Sequence, residues 1–400
     1  MENINITTKV PTSKSVLARL MILGALSNEK CAFDNVSMSK DSENLLSVLK
    51  DLGFAVSFNQ GTGRLKIQGN GGNIPKREAS VYVGNAGTAA RFSVAMLALS
   101  DGEYMLNASH EMSLRPMKGI LDTLRSAGAI IICTEKEDHF PLIIKGKRPV
   151  SPVKLKVDVS ESTQFASGLM LMKGCLPEGS VIEGVNENRN SYIKLTEEVI
   201  KNFKPRMNAE GDISSAAYCY AAAMLTGGKV TVTNATLSSA QPDIKFLKLL
   251  QSFGGEFLED ERGLTLTCER PIVGAEGDLT LDMSDFSDQS MTMAVLASVR
   301  KGTTTINNIG HTRKQECDRI AALKENFDEI GIESEIGEDY IVIHGGTPHG
   351  GFIRTHNDHR IYMSFMLLSL IVDGIKADNP TCNSKSYPGF NDFMSSLRQQ

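Results

Sequence analysis

The chain of 400 residues has a formal net charge of −5, with 41% hydrophobic and 22% charged residues. That balance is ordinary for a soluble globular protein and excludes a global basic field directed at nucleic acid or membranes. Seven scattered cysteines (Cys31, Cys133, Cys175, Cys219, Cys268, Cys317, Cys382) lack a C-x-x-C pair, and the seven histidines lack ligand spacing, which argues against a disulfide framework and a zinc site. With no leader-like start and no apolar run of roughly 18 residues, a cytoplasmic protein without a membrane span is expected.

Residues Met1 to Val10 read as a strand with nothing before it. The pattern then repeats: six times a small polar turn opens a helix of small and apolar residues. The openings are Thr12-Ser13-Lys14-Ser15, Asn85-Ala86-Gly87-Thr88, Glu161-Ser162-Thr163-Gln164, Gly211-Asp212-Ile213-Ser214, Ser287-Asp288-Gln289-Ser290 and Asn357-Asp358-His359-Arg360. Each supplies side chains of the type that cap helix N-termini. After each opening except the last comes a short β-type run and a second, amphipathic helix; the last copy ends on its second helix. Several second helices stop at glycine (Gly53, Gly128, Gly254, Gly331), the favoured residue just past a helix end.

A β-α-β-α-β-β unit copied six times is therefore expected, giving a mixed α/β (α+β) fold. Single copies are too small to bury both faces, so three copies per domain should pack their first helices inside, parallel to one another, with sheets outside. The shortest interval between openings places the crossover near Asn208 to Asp212. This predicts one lobe up to residue 211 and another from 212 to 400, with the active site in the cleft between them.

The second opening shows what such turns can do. A β-rich run (Ser80 to Val83) enters Gly84-Asn85-Ala86-Gly87-Thr88-Ala89-Ala90-Arg91, and a small apolar run leaves it. Glycines let the backbone approach a ligand, and unpaired amides at a helix start favour an anion. Cations recur at equivalent places: Lys14 and Arg19, Arg91, Arg115, Arg313 and Arg319 flanking Glu316, Arg360 and Lys385. Singly each reads as a surface charge. Together they oppose the helix dipoles, a cost that anionic ligands would offset. No P-loop and no strand-linked G-x-G-x-x-G is present, so two smaller anions fit better than a nucleotide. Asp288, Glu316 and His359 stand among these cations as acid-base candidates, with capping or structural roles as their plainer alternatives. Cys317 has cationic neighbours that would lower its pKa, although a buried apolar role suits it better.

In order along the chain, Pro11-Thr-Ser-Lys14-Ser15-Val-Leu-Ala-Arg19, Gly84 to Arg91, Arg115-Pro-Met, Gly211-Asp-Ile-Ser-Ser-Ala-Ala, Glu316-Cys-Asp-Arg319 and Asn357-Asp-His-Arg360 resemble the signatures of the 3-phosphoshikimate 1-carboxyvinyltransferase (EPSP synthase) family. The resemblance implies two domains of three repeats each, with the first residues joining the second domain (11–211, and 1–10 plus 212–400), and transfer of the enolpyruvyl group of phosphoenolpyruvate to the 5-hydroxyl of shikimate 3-phosphate through a tetrahedral intermediate. It implies no metal or organic cofactor, and a monomer is expected. Carried over by motif, Lys14, Ser15, Arg19, Ser162, Thr163 and Gln164 would hold shikimate 3-phosphate, with Arg189, Tyr192, Asp288, His311 and Gln315. Lys14, Gly87, Arg115, Arg319, Arg360 and Lys385 would hold phosphoenolpyruvate, with Asn85, Thr88, Gln164 and His359 nearby. Asp288 would take the hydroxyl proton and Glu316 would donate one, Lys14 completing the catalytic set.

Three positions depart from the family pattern, all on the acceptor side: Arg189 where a serine is usual, His311 where an asparagine is usual, and Gln315 where a lysine is usual. Related UDP-N-acetylglucosamine enolpyruvyl transferases carry a reactive cysteine in the loop that here reads Ser109-His-Glu-Met-Ser-Leu114, which counts against that alternative. An enolpyruvyl transferase with another acceptor, or a non-catalytic anion-binding relative, are the remaining alternatives.

Overall fold

The computed structural model describes residues 4–185 and 191–398. The chain divides into two compact units, Thr12–Glu210 and Met1–Pro11 with Gly211–Gln400.

In Thr12–Glu210 the helices Lys14–Leu26, Gly87–Ala98 and Gln164–Leu171 are apolar on nearly every side and pack on one another at the centre. A helix without a polar face must be buried, which explains their place. The second helices, Lys40–Asp51, Lys118–Ser126 and Ser191–Asn202, bury one stripe each. One four-stranded sheet runs Glu78–Tyr82, Gly102–Asn107, Leu142–Gly146, Ile130–Cys133, the first pair parallel and the others antiparallel. Its strands alternate: Tyr104 and Leu106 are buried while Met105 faces outward. The other sheet contains Lys30–Asp34, Arg64–Gln68 and Val56–Asn59, and its edge is Arg206–Asn208, paired in parallel with Lys30–Asp34. Among the described residues the third copy has the parallel pair Lys154–Asp158 and Val181–Val185 and no closing hairpin. The chain after its second helix completes the sheet of the first copy.

The other unit repeats this plan. Helices Ile213–Thr226, Ser290–Ser298 and His359–Leu367 form its buried centre. Ile4–Thr8 pairs in parallel with Gly228–Val232, which continues to Gly263–Cys268 and Gly255–Asp260. The fifth copy forms Leu279–Asp282, Gly302–Asn307, Tyr340–Gly345, Ser334–Ile336, and the sixth only Phe352–Ile353 beside Lys376–Ala377. The sheets are open, and among the described residues four of the six have four strands. Among the described residues no helix is long and apolar enough to cross a membrane.

Gly53, Gly128, Gly254 and Gly331 end their helices at φ of 89°, 99°, 91° and 76°, the left-handed region that a side chain disfavours. Capping at the six openings is more selective than the residue types imply. Ser13, Asp212 and Asp358 accept from backbone amides of their own helices. The starts after Ala86, Thr163 and Gln289 have no side-chain bond from the cap residue.

Candidate active site

In Thr12–Glu210, two of the uncapped helix starts are tied to each other. Gln164 donates through Nε2 to Thr88 Oγ1 at 3.2 Å and accepts through Oε1 from Arg91 Nη1 at 2.7 Å. Asn85 Oδ1 accepts from Arg115 Nη2 at 3.2 Å. Gly87 lies against these groups: a Cβ there would stand 2.9 Å from Arg91 Nη1, 3.3 Å from Arg115 Nη1 and 3.6 Å from Gln164 Oε1. Asn85, Gly87, Thr88, Arg115 and Gln164 are thus one cluster. Ser162 Oγ accepts from the Gln164 amide at 3.3 Å, and Thr163 sits at the cap position between them. Lys14, the first residue of its helix, reaches Asp41 Oδ2 at 3.4 Å. Arg19 gathers a second group, donating to the carbonyls of Ser15 at 2.7 Å and Tyr192 at 3.2 Å. Arg189 lies outside the described residues.

The other unit centres on Arg319, whose side chain is 2% exposed. Its Nε donates to Asp358 Oδ2 at 2.7 Å, Nη1 to Asp288 Oδ1 at 3.2 Å and to Gln315 Oε1, and Nη2 to Glu316 Oε2 at 2.9 Å. Arg360 Nη2 donates to Asp288 Oδ2 at 2.7 Å, and Lys385 Nζ to Glu316 Oε1 at 2.6 Å. Asp358 is fully buried, caps its helix through the Arg360 amide at 2.8 Å, and so orients the arginine two residues on. His359 is buried beside it. His311 Nε2 lies 2.7 Å from Ser287 Oγ, next to Asp288 in the chain. Asp288, His311, Gln315, Glu316, Arg319, Arg360 and Lys385 are therefore linked through side-chain contacts and one peptide bond.

The charges explain how this cluster survives burial. Desolvation opposes the Arg319 cation, yet the carboxylates of Asp358, Glu316 and Asp288 outweigh it and hold the guanidinium more firmly protonated than usual. Asp243 has the opposite problem. It is 1% exposed, accepts from Ser214 Oγ and from Gln289 Nε2 at 2.8 Å, and has no ion pair at hydrogen-bond range among the described residues. Burial, reinforced by the Asp288 charge, pushes its carboxyl up to about 6 from 3.8.

The folded state therefore holds an extra proton between about pH 4 and pH 6, and stability falls as pH rises through that window. Asp243→Asn keeps an acceptor for Ser214 and Gln289 but carries no charge. It is expected to raise stability at pH 7.5 by roughly 2–3 kcal/mol, the gain fading below about pH 4. Thermal unfolding at the two pH values measures it; an equal gain at both would assign the effect to something other than the carboxylate charge.

Cys317 takes the role preferred for it, partly buried against the core: burial, and then the Asp358 charge, drives its thiol far up, and its Sγ lies 3.6 Å from Asp358 Oδ2. One sequence expectation is corrected here. Arg313 does not join the cluster around Glu316, because it pairs with Asp318 at 2.6 Å and with the carbonyls of Gly337 and Glu338. Asp41, Asp243 and Asp358 join the sequence-predicted residues in these clusters. Asp41 and Asp243 stand at the starts of second helices, so the repeat itself is the signal that marks them.

Each unit gathers arginine, lysine and carboxylate side chains at the starts of its repeated helices, a grouping suited to small anions rather than to a nucleotide. Residues 1–394 match the family model described as EPSP synthase (3-phosphoshikimate 1-carboxyvinyltransferase). The 3-phosphoshikimate 1-carboxyvinyltransferase of Laribacter hongkongensis is 33% identical over 423 residues, covering 98% of this chain and 96% of that one. Its counterpart in Buchnera aphidicola is 33% identical over 425 residues, covering 99% and 97%. In fold, the chain is similar to EPSP synthase from Acinetobacter baumannii, with a TM-score of 0.79 at 22% identity over 98% of this chain and 95% of that one. The chain belongs to the EPSP synthase (3-phosphoshikimate 1-carboxyvinyltransferase) family.

Proposed function

We propose that this chain transfers the enolpyruvyl group of phosphoenolpyruvate to the 5-hydroxyl of shikimate 3-phosphate and releases phosphate. The observation that carries the reading is the pair of carboxylates, Asp288 and Glu316, each gripped by two cations of which Arg319 is shared. Binding alone has no use for two acids among cations. Bonded to Arg319 and Arg360, Asp288 is suited to accept the hydroxyl proton as the oxygen adds to C2 of phosphoenolpyruvate. Glu316 and Lys385, 2.6 Å apart, form a proton route to the methylene carbon. In the elimination that proton returns and phosphate leaves, its charge stabilised by a ring of fixed cations.

In this reading phosphoenolpyruvate is held by Lys14, Asn85, Gly87, Thr88, Arg115, Gln164, Arg319, His359, Arg360 and Lys385. Shikimate 3-phosphate is held by Lys14, Ser15, Arg19, Ser162, Thr163, Gln164, Tyr192 and Arg189, with Asp288, His311 and Gln315. Both sets serve one pair of substrates, and one chain supplies all of these groups, so a cytoplasmic monomer suffices. Gln315 accepts from Arg319, a bond that the lysine usual in the family cannot accept.

A coupled phosphate-release assay, with each substrate omitted in turn, tests the reading. Release should require both; none at millimolar substrate, or release without the acceptor, would overturn it. Gly87→Ala gives a second check. A methyl forced against Arg91 and Arg115 should weaken phosphoenolpyruvate by about 1–2 kcal/mol, roughly tenfold in its KM, with little change for the acceptor.

A further inference from the structure

Arg19 is 1% exposed, and among the described residues it has no acidic partner. Its guanidinium is held by neutral oxygens alone. Nε donates to Thr196 Oγ1 at 2.9 Å, Nη2 to Ser167 Oγ at 3.3 Å and to the Tyr192 carbonyl at 3.2 Å, and Nη1 to the Ser15 carbonyl at 2.7 Å. Thr196 Oγ1 also lies 2.8 Å from the Tyr192 carbonyl and 2.9 Å from Ser167 Oγ, and both hydroxyl residues are fully buried. The Phe92 ring faces the guanidinium carbon at 5.3 Å. Four of the five N–H groups are therefore committed to protein acceptors. The fifth is on Nη1, the nitrogen that bonds the carbonyl in the helical turn carrying Lys14 and Ser15.

A cation buried among neutral acceptors is poorly compensated, and burial lowers the Arg19 pKa to about 10. Arg319, equally buried, is surrounded by carboxylates. The difference makes Arg19 a positive charge held ready for an anion supplied from outside the protein.

We infer that Thr196 and Ser167 are positioning residues that lock the Arg19 guanidinium, so that its one uncommitted N–H and its charge serve the anionic acceptor. The same lock joins the helix Lys14–Leu26 to the helices Gln164–Leu171 and Ser191–Asn202, and so sets Ser15, Gln164 and Tyr192 relative to one another. The inference rests on the proposed reaction for the identity of the acceptor.

Thr196→Val removes the acceptor of Arg19 Nε while keeping the side-chain shape, and Thr196→Ser restores it. In the full chain, Thr196→Val should raise KM and the calorimetric Kd for shikimate 3-phosphate at least about tenfold, since hydrogen bonds to charged groups are the strong ones. KM for phosphoenolpyruvate should stay within about twofold, and Thr196→Ser should recover most of the loss. Ser167→Ala, a smaller change, should shift the same two constants in the same direction. An unchanged Kd for shikimate 3-phosphate in folded Thr196→Val, or equal losses for both substrates, would overturn the role. Failure of the wild type to turn over would instead overturn the reaction, because acceptor binding is read without turnover.

Discussion

Glu316→Gln is expected to lower turnover by at least about a hundredfold while KM for each substrate moves only a few-fold, as removal of a general acid-base group should. The side chain keeps its length, and its amide oxygen still accepts from Arg319 or Lys385, which stand 2.9 Å and 2.6 Å from the carboxylate oxygens. What it loses is the ability to take up and release a proton. Lys385 then has no route by which to pass one on, and protonation of the methylene carbon becomes the slow step. Steady-state phosphate release with both substrates varied separates the two constants. Turnover like that of the wild type would remove Glu316 from the mechanism and leave it a tether for Lys385.

Arg319→Met is expected to destabilise the protein as well as inactivate it. The wild-type guanidinium neutralises Asp358, which is fully buried, and shares Asp288 and Glu316 with Arg360 and Lys385. Without it, a buried carboxylate is left without its charge partner, a change that costs about 3–5 kcal/mol. For a unit of this size that corresponds to a fall in Tm of roughly 10 °C. Differential scanning calorimetry measures it. Arg319→Lys is the informative companion: it keeps a charge near Asp358 but cannot span four acceptors with one planar fork. It should recover part of the stability and little of the activity. A Tm within about 2 °C of wild type for Arg319→Met would mean that the acids are neutralised by other groups.

These two outcomes also separate the two arginines that the fold buries. Arg319 is compensated internally, so its removal is felt first in folding. Arg19 is surrounded by neutral oxygens, so disturbing its lock through Thr196 should be felt first in acceptor affinity. Arg19 lies in the second turn of its helix and Arg319 at the first position of its own; Glu316 is a near neighbour of Arg319 in the chain, but the other partners that decide the two environments are distant. Thr196 is 177 residues from Arg19, and Asp358 is 39 residues from Arg319.

Much of the architecture is written locally. Six polar turns, the apolar helices that follow them and the glycines that end the second helices depend on capping chemistry, side-chain periodicity and positive φ, all decided within a few residues. The recurrence of cations at those turns was legible for the same reason, and with it the handling of anions. Only the tertiary structure decided which strands complete the first and fourth sheets, Arg206–Asn208 and Ile4–Thr8, because strand pairing joins edges distant in the chain. It also decided that Asn85, Gln164 and Asp288 hold partners across a cluster, and that Arg313 stays outside while Arg319 is enclosed. Charge, burial and pKa belong to neighbourhoods in space. The sequence determines which groups are present, and the packing determines which of them face one another with their charges uncompensated.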